Sequence, residues 1–179
     1  MLHTNRNYGY ACINMGFSTL PKSKRITTNR GMIKRTFTER GLPYASELAL
    51  LNLKDLNKII VWNLENNIHF YRISLDIIPW ASEYDITDRP QCEQVAYQAK
   101  KAGNFARKHN IRLTSHPGPF NKLASPKERV FELTRKDLTV HGDLFDLIGL
   151  ERSPYAKLKL SLIPIRTCRH ATQSKYRSY

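Results

Sequence analysis

The sequence predicts an α/β fold built on parallel strands. Short β-compatible segments alternate with apolar segments of helical period along the middle of the chain. The periodic segments lie between the strands, where parallel pairing needs crossover connections. Four such strands and three helices fit the 179 residues available. A doubly wound sheet and half of a (β/α)8 barrel both satisfy this order. No GxGxxG turn follows a strand, which argues against a dinucleotide site.

Each element has a local reason. Tyr8–Asn14 (YGYACIN) reads as the first strand, and the basic stretch Pro21–Arg40, rich in Thr, Gly and Lys, as a long loop. In LLNLKDLNKIIVWNLENN, residues Leu53, Leu56, Ile60 and Leu64 recur every three to four positions and make one apolar helix face. Asn66-Asn67 stops that helix. His69–Ile73 is the second strand, and Asp76–Pro90, with two prolines, a loop. Gln94–His109 is an amphipathic helix ending at Asn110, and Ile111–Ser115 a third strand stopped by Pro117-Gly118. Pro126 opens a third helix through Lys127–Ile148, with Gly149 as its C-cap. Tyr155–Ile163 alternates and reads as a fourth strand.

Charge is distributed unevenly. The chain holds 29 Lys+Arg against 15 Asp+Glu, a net +14. Residues 1–40 carry +7 and residues 151–179 carry +6, which leaves the middle at +1. Such an excess points to an anionic partner, nucleic acid before others. No segment approaches the roughly 20 apolar residues of a membrane span, and the N-terminus has no signal-peptide core. Cys12, Cys92 and Cys168 lie far apart with no CxxC, so neither a disulfide framework nor a zinc cluster is indicated. The expectation is an intracellular, cytoplasmic protein that meets no membrane.

In both parallel architectures chemistry gathers just after the strands. There stand Cys12 and Asn14, then Asp76, Trp80, Ser82, Glu83 and Asp85, then His116 to Phe120, then Pro164 and Arg166. His116, at a strand end before Pro-Gly, can bind a divalent metal or simply hydrogen-bond its turn. Glu83 can supply a carboxylate ligand or belong to a solvated acidic loop. Tyr8, Tyr10 and Phe120 can stack on bases or pack in the core. His141 reads as a partly exposed helical residue and Trp62 as core, while Asp76, directly after its strand, can join the carboxylate ligands or equally cap its turn. No spacing argues for a nucleophilic triad, so no catalytic residue is assigned.

Several segments together resemble the UV damage endonucleases. They are GYACIN (Gly9–Asn14), the run from Arg40 to Ser74, DIIPWAS (Asp76–Ser82), RLTSHPGPF (Arg112–Phe120), ASP (Ala124–Pro126) and HGDLFDLIGL (His141–Leu150). The resemblance implies a TIM barrel, of which this chain holds roughly the first four β/α units. It implies a single-strand cut 5′ to UV photoproducts in double-stranded DNA, as a step of excision repair, supported by divalent metals, typically manganese. Residue by residue, His116 matches a metal-binding His. Glu83 stands where the family usually has another. Tyr10 and Asn14 match positions that contact the lesion site. Pro119-Phe120 replaces a Gln-aromatic probe pair, of which Phe120 keeps the ring.

The resemblance divides the chain into 1–157, similar to the family's N-terminal part, and a divergent basic tail, 158–179. Ser161 stands in that tail where the family pattern has a His. The tail's divergence is consistent with a reading-frame change. Half a barrel has open sheet edges, which favours self-association. With one or two ligands, His116 and Glu83, metal binding and incision are expected to be weak. The alternatives are a non-enzymatic basic protein binding nucleic acid through residues 22–40 and the tail, or an inert pseudogene product.

Overall fold

The computed structural model describes residues 8–118 and 121–158. Three strands, β1 (Gly9–Ala11), β2 (Phe70–Ile73) and β3 (Arg112–Ser115), form one parallel sheet in the order β1-β2-β3. The register aligns Tyr10, Tyr71 and Leu113 across the sheet, and beside them Ala11, Arg72 and Thr114. This is the α/β, all-parallel architecture the order of elements predicts. Of the expected fourth strand only the onset lies within the described residues. Leu158 bridges in parallel to Ser115, and the Ser115 amide donates to the Lys157 carbonyl at 3.3 Å. The expected start at Tyr155 is corrected: residues 152–156 are bends and turns. They follow Arg112, whose guanidinium holds the Tyr155 carbonyl and lies over its ring, so the chain must turn before it can pair.

Four helices accompany the sheet: α1 (Met15–Ser18), α2 (Lys34–Glu65), α3 (Cys92–Lys108) and α4 (Glu128–Ile148). Helix α2 packs on α3 and α3 on α4. Tyr71, Ile73 and Leu113 meet Leu53, Leu56 and Ile60 of α2, Val95, Ala99 and Ala102 of α3, and Leu144 and Ile148 of α4 in one core. Alternation along a strand puts Gly9, Phe70 and Arg112 on the opposite face. There Phe70 lies so close over Gly9 that a Cβ would meet its ring and carbonyl at 2.3 Å, so only glycine fits.

The helix stops behave as read. Asn67 and Asn110 take left-handed conformations (φ 56° and 54°), which Asn tolerates, and Gly149 ends α4 at φ 76°. The reading of Pro21–Arg40 as loop throughout is corrected: Lys22–Lys24 is a 3₁₀ turn, and α2 begins at Lys34. The helix is kinked at Gly41 (φ 63°, ψ −160°), and Pro43 sits in the first turn of the longer part. Proline is tolerated there because its missing N–H would have no intrahelical partner. The stretch before the kink is polar and basic, so hydrophobic periodicity gives no sign of it. Helix α3 starts two residues before the expected Gln94.

Helices α3 and α4 touch at Gly103. A Cβ built there would lie 1.8 Å from the Ile148 carbonyl oxygen. Gly103→Ala therefore has to push α4 away, and overpacking of this kind costs about 1–3 kcal/mol, more than the roughly 1 kcal/mol gained in helix propensity. The expected outcome is a lower midpoint of thermal unfolding followed by circular dichroism; an unchanged or higher midpoint would show that the two helices separate freely.

Candidate functional site

Because the strands run parallel, the segments after β1, β2 and β3 all emerge at one end of the sheet. After β1, Cys12 takes a left-handed conformation (φ 60°) and turns the chain into α1. Asn14 caps α1, accepting from the Gly16 amide at 2.9 Å, and its Nδ2 donates to the Tyr10 hydroxyl at 3.0 Å. The Tyr10 hydroxyl donates in turn to Asn63 Oδ1 of α2 at 2.7 Å. The Tyr10 ring packs edge-on against Tyr71, with centroids 5.2 Å apart. Burial pushes the Tyr10 phenol up, against the pull of its Asn14 and Asn63 hydrogen bonds. The two residues read as lesion contacts thus touch each other, Asn14 buried and Tyr10 half-buried.

The segment from Thr27 to Arg30 is folded down onto the same end. Thr28 is fully buried, and its hydroxyl lies 3.1 Å from that of Tyr71, which donates to the Cys12 carbonyl at 2.9 Å. Asn52, fully buried on α2, accepts from the Arg30 amide at 3.1 Å and donates to the Arg30 carbonyl at 2.9 Å. The same amide group reaches the Asp76 and Ile77 carbonyls at 3.3 and 3.2 Å. One side chain therefore ties the segment after β1 to the segment after β2.

After β2, short helical turns at Leu75–Ile77, Ala81–Glu83 and Ile86–Asp88 carry the chain to α3. Trp80 is left-handed (φ 58°), a strained conformation for so bulky a residue. It is held by its indole N–H on the Met32 carbonyl at 2.9 Å and by stacking on Phe37 at 5.1 Å. Glu83 ends its turn exposed to solvent. Asp85 caps the next turn through the Thr87 amide, which holds its carboxyl below the ordinary value.

His116 follows β3 directly and is half-buried. The turn that carries it is fastened to α4. Ser115 Oγ lies 2.8 Å from His141 Nδ1, and His141 Nε2 is 3.9 Å from Asp137. Asn121 donates to Asp137 at 2.5 Å and to the Gly118 carbonyl at 3.1 Å. The Lys122 amide donates to Thr134 at 2.9 Å. The expectation of a partly exposed His141 is therefore corrected: it is 2% exposed, because the Ser115 hydroxyl gives its ring a partner inside the fold. Asp76, Asp137, His141, Trp80 and Ser82 line a cleft of about 290 Å³. Asp76 lines this cleft, and the turn that holds it, Leu75–Ile77, has no side-chain cap; burial and the nearby Asp137 push its carboxyl up.

Sequence reasoning passed over Asn52, Thr28, Asp137 and His141. The signal for the last two was their four-residue spacing, which puts them on one helix face with Thr134. Phe120, Pro119 and Ser161 lie outside the described residues. Glu83 and His116 stand on segments at the same end of the sheet. Among the described residues, however, no group of three or more His, Cys, Asp or Glu side chains is arranged to hold a metal ion. The described residues therefore do not by themselves fit a divalent cluster, and no chemical step below passes through one. No helix among them is long and apolar enough to cross a membrane.

Comparison with known proteins places this geometry. Residues 6–177 match the family model described as UV-endonuclease UvdE, a match that runs past Leu158 into the basic tail. The UV-damage endonuclease of Schizosaccharomyces pombe is 33% identical over 144 residues, covering 79% of this chain and 23% of that protein. The UV DNA damage endonuclease of Clostridium perfringens is 29% identical over 139 residues, covering 78% of this chain and 33% of that one. The crystal structure of SacUVDE superposes with a TM-score of 0.69 at 26% identity, over 85% of this chain and 47% of that one. The chain thus spans less than half the length of each of these relatives.

Burial holds the His141 imidazole below its ordinary 6.5, reinforced by the neighbouring His116 and opposed by Asp137 and Asp76. The unfolded chain then binds the extra proton first, so stability falls as pH drops below about 6.5. Chemical denaturation between pH 8 and 5 should show this loss, and His141→Asn should flatten it. A wild-type stability that rises on acidification over that range would contradict the burial argument.

Proposed function

Because the chain belongs to the UV-endonuclease UvdE family, we propose that it acts in DNA repair as an endonuclease portion that cuts one strand 5′ to UV photoproducts. In this reading it forms the opening four β/α units of a (β/α)8 barrel, with the onset at Leu158 as the fourth strand. The family match carries the reading, and the parallel sheet with His116 at the tip of β3 supports it. The substrate is duplex DNA carrying a lesion, and the end of the sheet that holds Asn14, Glu83 and His116 faces it.

The roles follow from what each side chain has available. Both ends of the Asn14 amide are engaged, one on Tyr10 and one on Gly16. Asn14 therefore shapes the DNA-facing turn after β1, and Tyr10 supports it from below through Asn63. Phe120 is proposed as the aromatic wedge at the lesion. His116 and Glu83 are proposed as ligands of a divalent metal, manganese by family likeness, with the remaining ligands supplied from outside the described residues. What the described chain does is hold the turn that carries His116 against α4, Ser115 bonding to His141 and Asn121 joining Gly118 to Asp137. Self-association is proposed through the edge of β1, which pairs on one side only among the described residues.

The test is nicking of supercoiled plasmid, irradiated or not, with manganese present. Irradiated plasmid should be relaxed faster, and His116→Ala should slow this by at least about tenfold, since losing even a residue that only orients a metal ligand costs roughly that much. Equal relaxation of both plasmids, or a His116→Ala variant as fast as wild type, would overturn the assignment.

A further inference from the structure

Residues 22–40 hold seven Lys and Arg against one acid, Glu39. A basic stretch of this kind is commonly a solvated tail, but this one is clamped. The Asp55 carboxylate of α2, almost fully buried, accepts from the Thr27 amide at 3.2 Å and pairs with Arg30 at 2.6 Å. Arg30 also donates to the Thr27 carbonyl at 2.6 Å and the Arg25 carbonyl at 3.2 Å. Asn52 holds the Arg30 backbone by both its N–H and its carbonyl. Thr28 is buried against Tyr71, Asn29 is bonded to Ser74, and Trp80 holds the Met32 carbonyl. Arg30 is thus spent on internal bonds, while Lys24, Arg25, Lys34 and Arg35 stand exposed on either side of it, Arg25 donating to the Leu20 carbonyl at 3.0 Å and Arg35 pairing with Glu39 at 2.8 Å, an exposed pair that a phosphate can replace.

We propose that this clamped strap is a pre-ordered contact surface for the phosphate backbone of duplex DNA beside the cut site. Lys24, Lys34 and Arg35 are its backbone-contacting cations, and Asn52 is its positioning residue. The proposal rests on the endonuclease reading above and adds to it where the undamaged part of the duplex lies. The strap leaves β1 at the same end of the sheet as Asn14 and His116, so a strand crossing that end meets its cations. Ordering it before DNA arrives removes the entropy that a flexible basic loop would lose on binding. Phosphate contacts of this kind position a duplex without reading its sequence.

The experiment is fluorescence anisotropy with a short labelled duplex, irradiated or plain, over a series of salt concentrations, using the full chain. Each neutralised phosphate contributes about 0.9 to the slope of log affinity against log salt. The Lys24→Ala/Lys34→Ala/Arg35→Ala variant should lower that slope by about 2–3 and weaken binding to both duplexes by the same factor. Lys100→Ala/Lys101→Ala, exposed on α3, should change neither. Asn52→Leu keeps every cation yet should lower the slope in the same direction, with helical content by circular dichroism unchanged. The triple variant removes no clamping bond, so the outcome does not depend on how well Asn52→Leu folds. An unchanged slope in the triple variant would overturn the strap proposal while leaving the endonuclease reading intact. Tighter binding of an RNA duplex than of DNA would overturn the assigned partner. Failure of the wild-type chain to bind either DNA duplex at low salt would overturn both readings.

Discussion

The parallel pairing of β1, β2 and β3 is the constraint on which the rest depends. Parallel neighbours cannot be joined by a tight turn, so each connection has to return the whole length of the sheet as a helix. That places α2, α3 and α4 side by side and sends every post-strand segment out at the same end. Residues as far apart in sequence as Cys12, Thr28 and Tyr71 are thereby brought within hydrogen-bond reach.

Those segments leave the sheet with backbone groups that no ladder can satisfy. Buried side chains take up the work. Asn52 serves carbonyls at Arg30, Asp76 and Ile77, and Ser115 and Thr134 anchor the turn after β3 to α4. A polar group placed in a core without partners is costly, so these positions are stable only in the arrangement that satisfies them. The same surroundings hold Trp80 in a conformation its bulk disfavours. The end of the sheet at which the post-strand segments gather is therefore its most specified part, although little of it is regular structure.

The sequence was legible where apolar periodicity or turn chemistry decides the outcome. Leu53, Leu56 and Ile60 are all buried as their spacing requires, and Asn67, Asn110 and Gly149 end their helices. It was not legible where a polar residue owes its place to a distant partner. Nothing local to His141 announces that Ser115 will receive it, and nothing local to Asn52 announces the Arg30 backbone. The helical stretch before Gly41 was hidden for a related reason, since its Lys, Arg and Thr make no apolar stripe. His116 stands at the tip of β3 as Pro117-Gly118 suggested, and the spacing of Thr134, Asp137 and His141 puts them on one helix face, but nothing in that spacing says that the face meets the turn after β3.

The charge pattern at this end of the sheet gives its two sides different tasks. Burial raises the Asp76 carboxyl and lowers the His141 imidazole from their ordinary values in the cleft that both line with Asp137. The exposed cations of the strap lie beyond Asn52, where the buried Asp55 is already paired with Arg30 and Lys58, so that Lys24 and Lys34 would be left to attract an approaching phosphate backbone. In the proposed reading a duplex drawn to the strap meets a surface that Asn52 ties to the loop carrying Asp76, since its side chain bonds to both.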